Sequence, residues 1–125
     1  MTKDQNTKQT NNSILPEVIV ALPSQNGYEL VFERTILYCK AAGNYTYIHL
    51  SDGRIILISK KLKDLSKCLE GAWFLRIHQS YLANIKHVSQ YLRRKGGLLV
   101  MNDKSILPIS RTKKEEVLSL FKIVR

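Results

Sequence analysis

Short runs of alternating apolar and polar positions dominate the chain from Tyr28 to Ile109. Tyr45–Leu50 sets Tyr45, Tyr47 and His49 against Thr46, Ile48 and Leu50, the two-residue period of a strand with one covered face. Ser51-Asp52-Gly53 is hairpin-turn chemistry, and residues 54–58 return as the partner strand. The same texture predicts strands over 28–32, 35–42, 73–77, 81–83, 88–93, 98–101 and 105–109. Glu33-Arg34, Gly96-Gly97 and Asn102-Asp103 supply connections between them. In 73–77 the alternation puts Leu75 and Ile77 on one face and Phe74, Arg76 and His78 on the other.

The period changes at Ser59. Leu62, Leu65 and Leu69 recur at helical spacing, which predicts an internal helix with Ser59 as N-cap and a stop at Gly71. A second helix is predicted over 112–124, with Val117, Leu118, Phe121 and Val124 on one stripe, Glu115 and Glu116 early, and Ser110 as N-cap. The pattern is that of a mainly β domain with several hairpins, one internal helix and one C-terminal helix. Residues 1–23 read as a polar N-terminal tail or linker with a short strand at 18–22 between Pro16 and Pro23, and 24–125 as the folded domain.

Composition narrows the function. With 125 residues, 44% of them hydrophobic, one domain can bury a core without disulfides or metal. The longest apolar runs are four or five residues, against the ~20 of a membrane-spanning helix. The N-terminus lacks the apolar segment of a secretory signal, so the expected location is the cytoplasm. Cys39 and Cys68 are isolated, and His49, His78 and His87 do not flank them at a zinc spacing. Both cysteines are therefore expected to be reduced and buried, with no metal and no cofactor. No acidic residue is placed to complete a nucleophile system with His78 and Ser80, and no phosphate-binding glycine pattern occurs, so an enzyme is not expected.

Charge points the other way, to a partner. The net charge is +10, and all of it falls in residues 24–125, where 18 basic residues meet 8 acidic ones. Such an excess favours a polyanion, nucleic acid first.

Three segments then carry a resemblance. Phe74-Leu75-Arg76-Ile77-His78-Gln79-Ser80-Tyr81-Leu82-Ala83-Asn84 resembles the central F-x-R-I-H-x-S-x-x-V-N motif of the LytTR DNA-binding domain. Gly43-Asn44-Tyr45-Thr46 resembles its early G-N-Y-T, and Leu107-Pro108-Ile109-Ser110-Arg111 its closing L-P-V-S-R. Gln79 stands where Arg is commoner and Ala83 where Val is commoner. The resemblance implies an elongated arrangement of short antiparallel sheets. It also implies bacterial transcription regulation within two-component systems, with double-stranded DNA read in successive major grooves by loops rather than by a recognition helix. Such domains usually follow a response-regulator receiver. Only a polar tail precedes this one, so the chain is expected to be a stand-alone regulator or an excised effector domain, with a receiver or sensor partner outside it. A homodimer on repeated half-sites is a further expectation.

The loops implied by the resemblance give the candidate DNA-binding residues. Asn44 is a natural reader of adenine and Tyr45 can reach a phosphate or a thymine methyl; the alternative is that Asn44 fills a positive-φ turn position and Tyr45 packs on a neighbour. Gln79 can read an adenine edge and Ser80 bond a phosphate. Arg76 and His78 either reach DNA or hold this loop, Arg76 as an ion pair and His78 through hydrogen bonds. Arg111 grips guanine or phosphate, with Lys113 and Lys114 contributing phosphate contacts or only a solvated helix start. Two other functions compete. An RNA-binding domain would need exposed aromatics, of which Tyr45, Tyr47 and Tyr81 are candidates. A protein-interaction module would use exposed β edges.

Overall fold

A computed structural model describes residues 17–69, 71 and 73–125. Its centre is a five-stranded antiparallel sheet in the order β5-β4-β3-β7-β6. These strands are β3 (Ile36–Ala42), β4 (Tyr45–Leu50), β5 (Ile55–Ile58), β6 (Phe74–His78) and β7 (Tyr81–Asn84). Before it comes a two-stranded hairpin of β1 (Ile19–Ser24) and β2 (Gly27–Phe32). After it comes a three-stranded sheet of β8 (Val88–Leu92), β9 (Leu98–Met101) and β10 (Ile106–Pro108). The helices are α1 (Leu62–Leu69) and α2 (Lys114–Leu118). The expected mainly β architecture of short antiparallel sheets with one internal and one C-terminal helix is the one observed.

The central sheet separates two cores. On one face Val20, Leu22, Ile48, Leu65, Phe74 and Leu82 pack with α1 and the hairpin. On the other, Leu37, Ile77, Leu99, Leu107 and Val117 pack with the third sheet and α2. Strand β3 is the shared wall: Ile36 and Cys39 enter the first core, Leu37 and Tyr38 the second. The bulge between Ile36 and Tyr38 makes this switch of faces possible. Asn84, at the end of β7, is buried; its Nδ2 donates to the Ile36 carbonyl at 2.9 Å and its Oδ1 accepts from the Lys86 N–H at 3.1 Å. The motif Asn is thus a stitch between β7 and β3.

Several local expectations are corrected. Helix α1 begins at Leu62, not at Ser59. The Asp64 and Leu65 N–H groups bond to the Lys61 carbonyl, while the Thr46 hydroxyl takes the Lys60 carbonyl at 2.7 Å and holds that stretch out of the helix. Cys39 is buried, and burial pushes its thiol far above the ordinary range. Cys68 is exposed, because Leu65 and Leu69 take the inward positions of α1. The last helix is shorter than 112–124: a 3-10 turn over Arg111–Lys113 leads into α2, which ends at Leu118. Beyond it the Leu120 and Phe121 N–H groups reach back only three residues, to Val117 and Leu118. Of the predicted stripe only Val117 is fully covered, so nothing rewards further turns. Among the described residues no helix is long and apolar enough to cross a membrane.

Candidate nucleic-acid interface

The β3–β4 turn is made by Gly43 and Asn44, between the paired Ala42 and Tyr45. Gly43 takes the left-handed φ of +64°, which costs glycine nothing. Asn44 therefore does not fill the positive-φ position; its side chain is exposed, as is that of Tyr45. The β4–β5 turn with Asp52 and Gly53 lies at the other end of the same strands.

Gln79 and Ser80 turn β6 into β7. Lys40 of β3 pairs with Tyr81 of β7, and the Ala41 N–H donates to the Ser80 carbonyl at 2.9 Å. The two turns are therefore neighbours at one end of the sheet. The third segment is fastened to them by the Ser110 N–H, which donates to the Ile77 carbonyl at 2.8 Å. Ser110 stands at the cap position of the 3-10 turn but makes no side-chain cap bond. Because the helix behind it is a short α2, the field of a helix N-terminus adds little here. Arg111 is exposed, and no carboxylate among the described residues lies within ion-pair distance of it.

Inside the β6–β7 loop the motif residues are committed to one another. Arg76 makes no ion pair among the described residues. Its Nη2 donates to the Gln79 carbonyl at 2.6 Å and its Nε to the His78 carbonyl at 3.2 Å. The Ser80 N–H donates to His78 Nδ1 at 3.0 Å, which puts the ring proton of the neutral imidazole on Nε2. His78 meets Tyr81 edge-on at 5.8 Å, and the Lys40 ammonium sits over the Tyr81 ring, 5.9 Å from its centre. The Gln79 side chain is left exposed on this braced loop.

The remaining candidates separate. Lys113 is half-buried and pairs with Glu116 at 3.4 Å. Lys114 lines a hollow with Tyr91, Arg93, Leu118 and Phe121, and among the described residues no side-chain hydrogen bond or ion pair ties it to the other two loops. Lys40 was not singled out by motif reading; its signal is that it is the sole charged position in the strand ILYCKAA and so must face outward. At the opposite end the charges are paired. Arg54 Nη1 reaches Glu29 at 2.8 Å and its Nε reaches Asp52 at 2.9 Å. The Arg54 N–H and guanidinium hold the Asp52 carboxyl below its ordinary range. In mid-sheet, burial lowers the pKa of His49, which stacks on Tyr38 at 4.2 Å.

Comparison with known proteins bears on the family and the fold. The family model for the LytTr DNA-binding domain matches residues 26–122. The CO-responsive transcriptional regulator RcoM of Rhodospirillum rubrum is 34% identical over 86 residues, which are 66% of this chain and 36% of that protein. The sensory transduction protein LytT of Bacillus cereus is 26% identical over 112 residues, 83% of this chain and 43% of that one. The matched stretch thus spans less than half the length of either relative. A solved LytTr DNA-binding domain from Bacillus cereus superposes with a TM-score of 0.70 at 21% identity, covering 82% of this chain and 94% of that domain; it establishes the shared fold. The family match, which runs over residues 26–122 and so spans all three loops at this end of the central sheet, makes this chain a member of the LytTr DNA-binding domain family.

Proposed function

We propose that the chain is a transcriptional regulator that binds double-stranded DNA with sequence preference, through the end of the sheet that carries Asn44, Gln79 and Arg111. One observation carries the reading. Backbone bonds from Ala41 to Ser80 and from Ser110 to Ile77 gather three exposed side chains suited to base edges. Amide side chains pair with the donor and acceptor of adenine, and a guanidinium pairs with those of guanine, in the major groove. Tyr45, Ser80, Lys40 and Lys113 surround them and serve phosphates. The His78 Nε2–H is a further donor for phosphate. Arg76 acts as a positioning residue: it occupies the carbonyls of the loop and fixes where Gln79 stands. Gln79, in place of the family's commoner Arg, exchanges an ionic or guanine contact for an adenine one. Lys114 takes no part in this reading.

The relatives are longer, and the transcriptional regulator and sensory transduction protein named above supply the setting: a receiver or sensor region, in the same polypeptide or another, controls DNA binding in the cytoplasm. A second copy occupies a repeated half-site. The RNA reading is weaker: of its three candidate aromatics, Tyr81 is engaged by Lys40 and His78, which leaves Tyr45 and Tyr47 for stacking.

Selection of preferred duplexes from a randomised pool, followed by a salt titration, tests the proposal. With ~5 phosphate contacts the slope of log K against log salt is about −4 to −5, which makes a fourfold rise in salt cost on the order of 500-fold in affinity. Equal affinity for every duplex, or a flat salt response, refutes it.

A further inference from the structure

The β1–β2 hairpin has two faces of unusual composition. Register pairs Ile19 with Phe32, Ala21 with Leu30 and Pro23 with Tyr28. Side chains opposite one another project to the same side of an antiparallel pair, so these six residues share one face. The other face sends Val20, Leu22 and Val31 into the first core. A sheet with one covered face ordinarily presents polar residues on the other. Here the outer face is apolar throughout, with Tyr28 69%, Leu30 65%, Ile19 57% and Phe32 41% exposed. These four side chains leave roughly 500 Å² of apolar surface in one patch, at the upper end of what a monomer tolerates.

We propose that this face is the self-association surface of the protein, on which a second copy of the chain packs its own hairpin. The inference rests on, and deepens, the reading that two copies occupy a repeated half-site. Three features favour a second copy as the occupant. The first is area. Two such patches meeting face to face bury roughly 1,000 Å² of apolar surface, and a rim brings that to the 1,200–2,000 Å² of a stable interface. The second is charge. Residues 17–34 carry Glu17, Glu29 and Glu33 against the single Arg34, while residues 35–125 carry 17 basic residues against 6 acidic ones. Two strongly basic chains can therefore approach here without the repulsion they meet elsewhere. The nearby Glu17–Arg34 and Glu29–Arg54 pairs, at 2.7 and 2.8 Å, are already neutralised within the chain and leave little charge to repel a second copy. The third is place. The hairpin packs with α1 and β5 and leaves the end with Asn44, Gln79 and Arg111 open.

Sedimentation velocity on the full chain tests this without DNA, so a negative result leaves the DNA-binding proposal standing. A monomer–dimer equilibrium in the micromolar range is expected. It persists or tightens in about 0.5 M salt, where charge repulsion is screened, whereas DNA binding weakens. Leu30→Glu places like charges near the axis and is expected to raise the dissociation constant on the order of 100-fold, with circular dichroism and melting unchanged. Ile19→Ser is a milder second variant, expected to raise it on the order of tenfold. Leu57→Glu, on the exposed outer face of β5, is expected to leave the dimer intact. A wild-type chain that stays monomeric up to millimolar concentration overturns the proposal, as does a dimer that survives both hairpin substitutions or is broken by Leu57→Glu alone.

Discussion

The two ends of the central sheet hold arginines in opposite conditions. At the β4–β5 end, Arg54 is shared between Asp52 and Glu29. At the other end, Arg111 is exposed and faces no carboxylate among the described residues, and Arg76 is spent on backbone carbonyls rather than on an ion pair. Counting basic residues does not separate these cases; asking what already satisfies each one does. A satisfied guanidinium braces the fold, and an unsatisfied one is free to take an anion from outside it. Arg76 belongs between the two, since it stiffens the loop that offers Gln79.

The comparison breaks most easily at Arg111. Arg111→Ala is expected to cost about 1–3 kcal/mol of affinity for the preferred duplex and to relax preference at one base pair, with no change in thermal stability. If Arg111 serves a phosphate instead, all duplexes weaken alike and the salt slope falls by about one. An unchanged affinity removes the third loop from the interface. Arg76→Ala comes next, at about 1–2 kcal/mol of affinity, the worth of the charged hydrogen bonds that position the loop. The discriminating measurement is a double-mutant cycle: Gln79→Ala should matter less in the Arg76→Ala background than in the wild type. Independent effects would mean that Arg76 does not act through Gln79.

Mid-sheet, His49 gives a smaller and pH-dependent effect on stability. Its folded pKa is lowered by burial, so the unfolded chain takes up the proton first as pH falls. The stabilisation is full above the ordinary histidine pKa of about 6.5 and is lost as pH falls through the lower folded value. Chemical denaturation of wild type and His49→Gln between neutral and mildly acidic pH should show a shallower decline in the variant; parallel curves would contradict the burial argument. The smallest effect belongs to the far end. Arg54→Ala should leave duplex affinity within about twofold, since its charge is already paired and remote from the three loops. A loss as large as that of Arg111→Ala would erase the distinction between the ends.

Much of this was legible in the sequence, for identifiable reasons. The alternation of Tyr45–Leu50 and the turn at Asp52-Gly53 depend on neighbours, and local chemistry settles them. The stripe of Leu62, Leu65 and Leu69 is equally local. The stripe of Val117, Phe121 and Val124 misled, because periodicity offers a face but the fold must supply something to cover it; Val124 is 96% exposed. Side-chain exposure at Asn44, Gln79 and Arg111 agrees with the loop reading, but their convergence was not legible. It depends on β3 pairing with β7, residues 38–40 against 81–83, and no local pattern announces that pairing. For the same reason no local pattern marks Lys40 as the neighbour of Tyr81.

The position of β3 between two cores has a consequence for how the molecule breathes. Neither core can melt by itself without stripping one face from a strand that the other still needs. The two are therefore expected to open as one cooperative unit, with amide hydrogens along β3 exchanging through global opening. The tip that carries Asn44 hangs from this shared strand, and the Ala41 N–H moors the neighbouring tip to it. The end proposed to grip DNA is thus anchored to the strand that both cores share, an arrangement that leaves less ordering entropy to lose on binding a duplex.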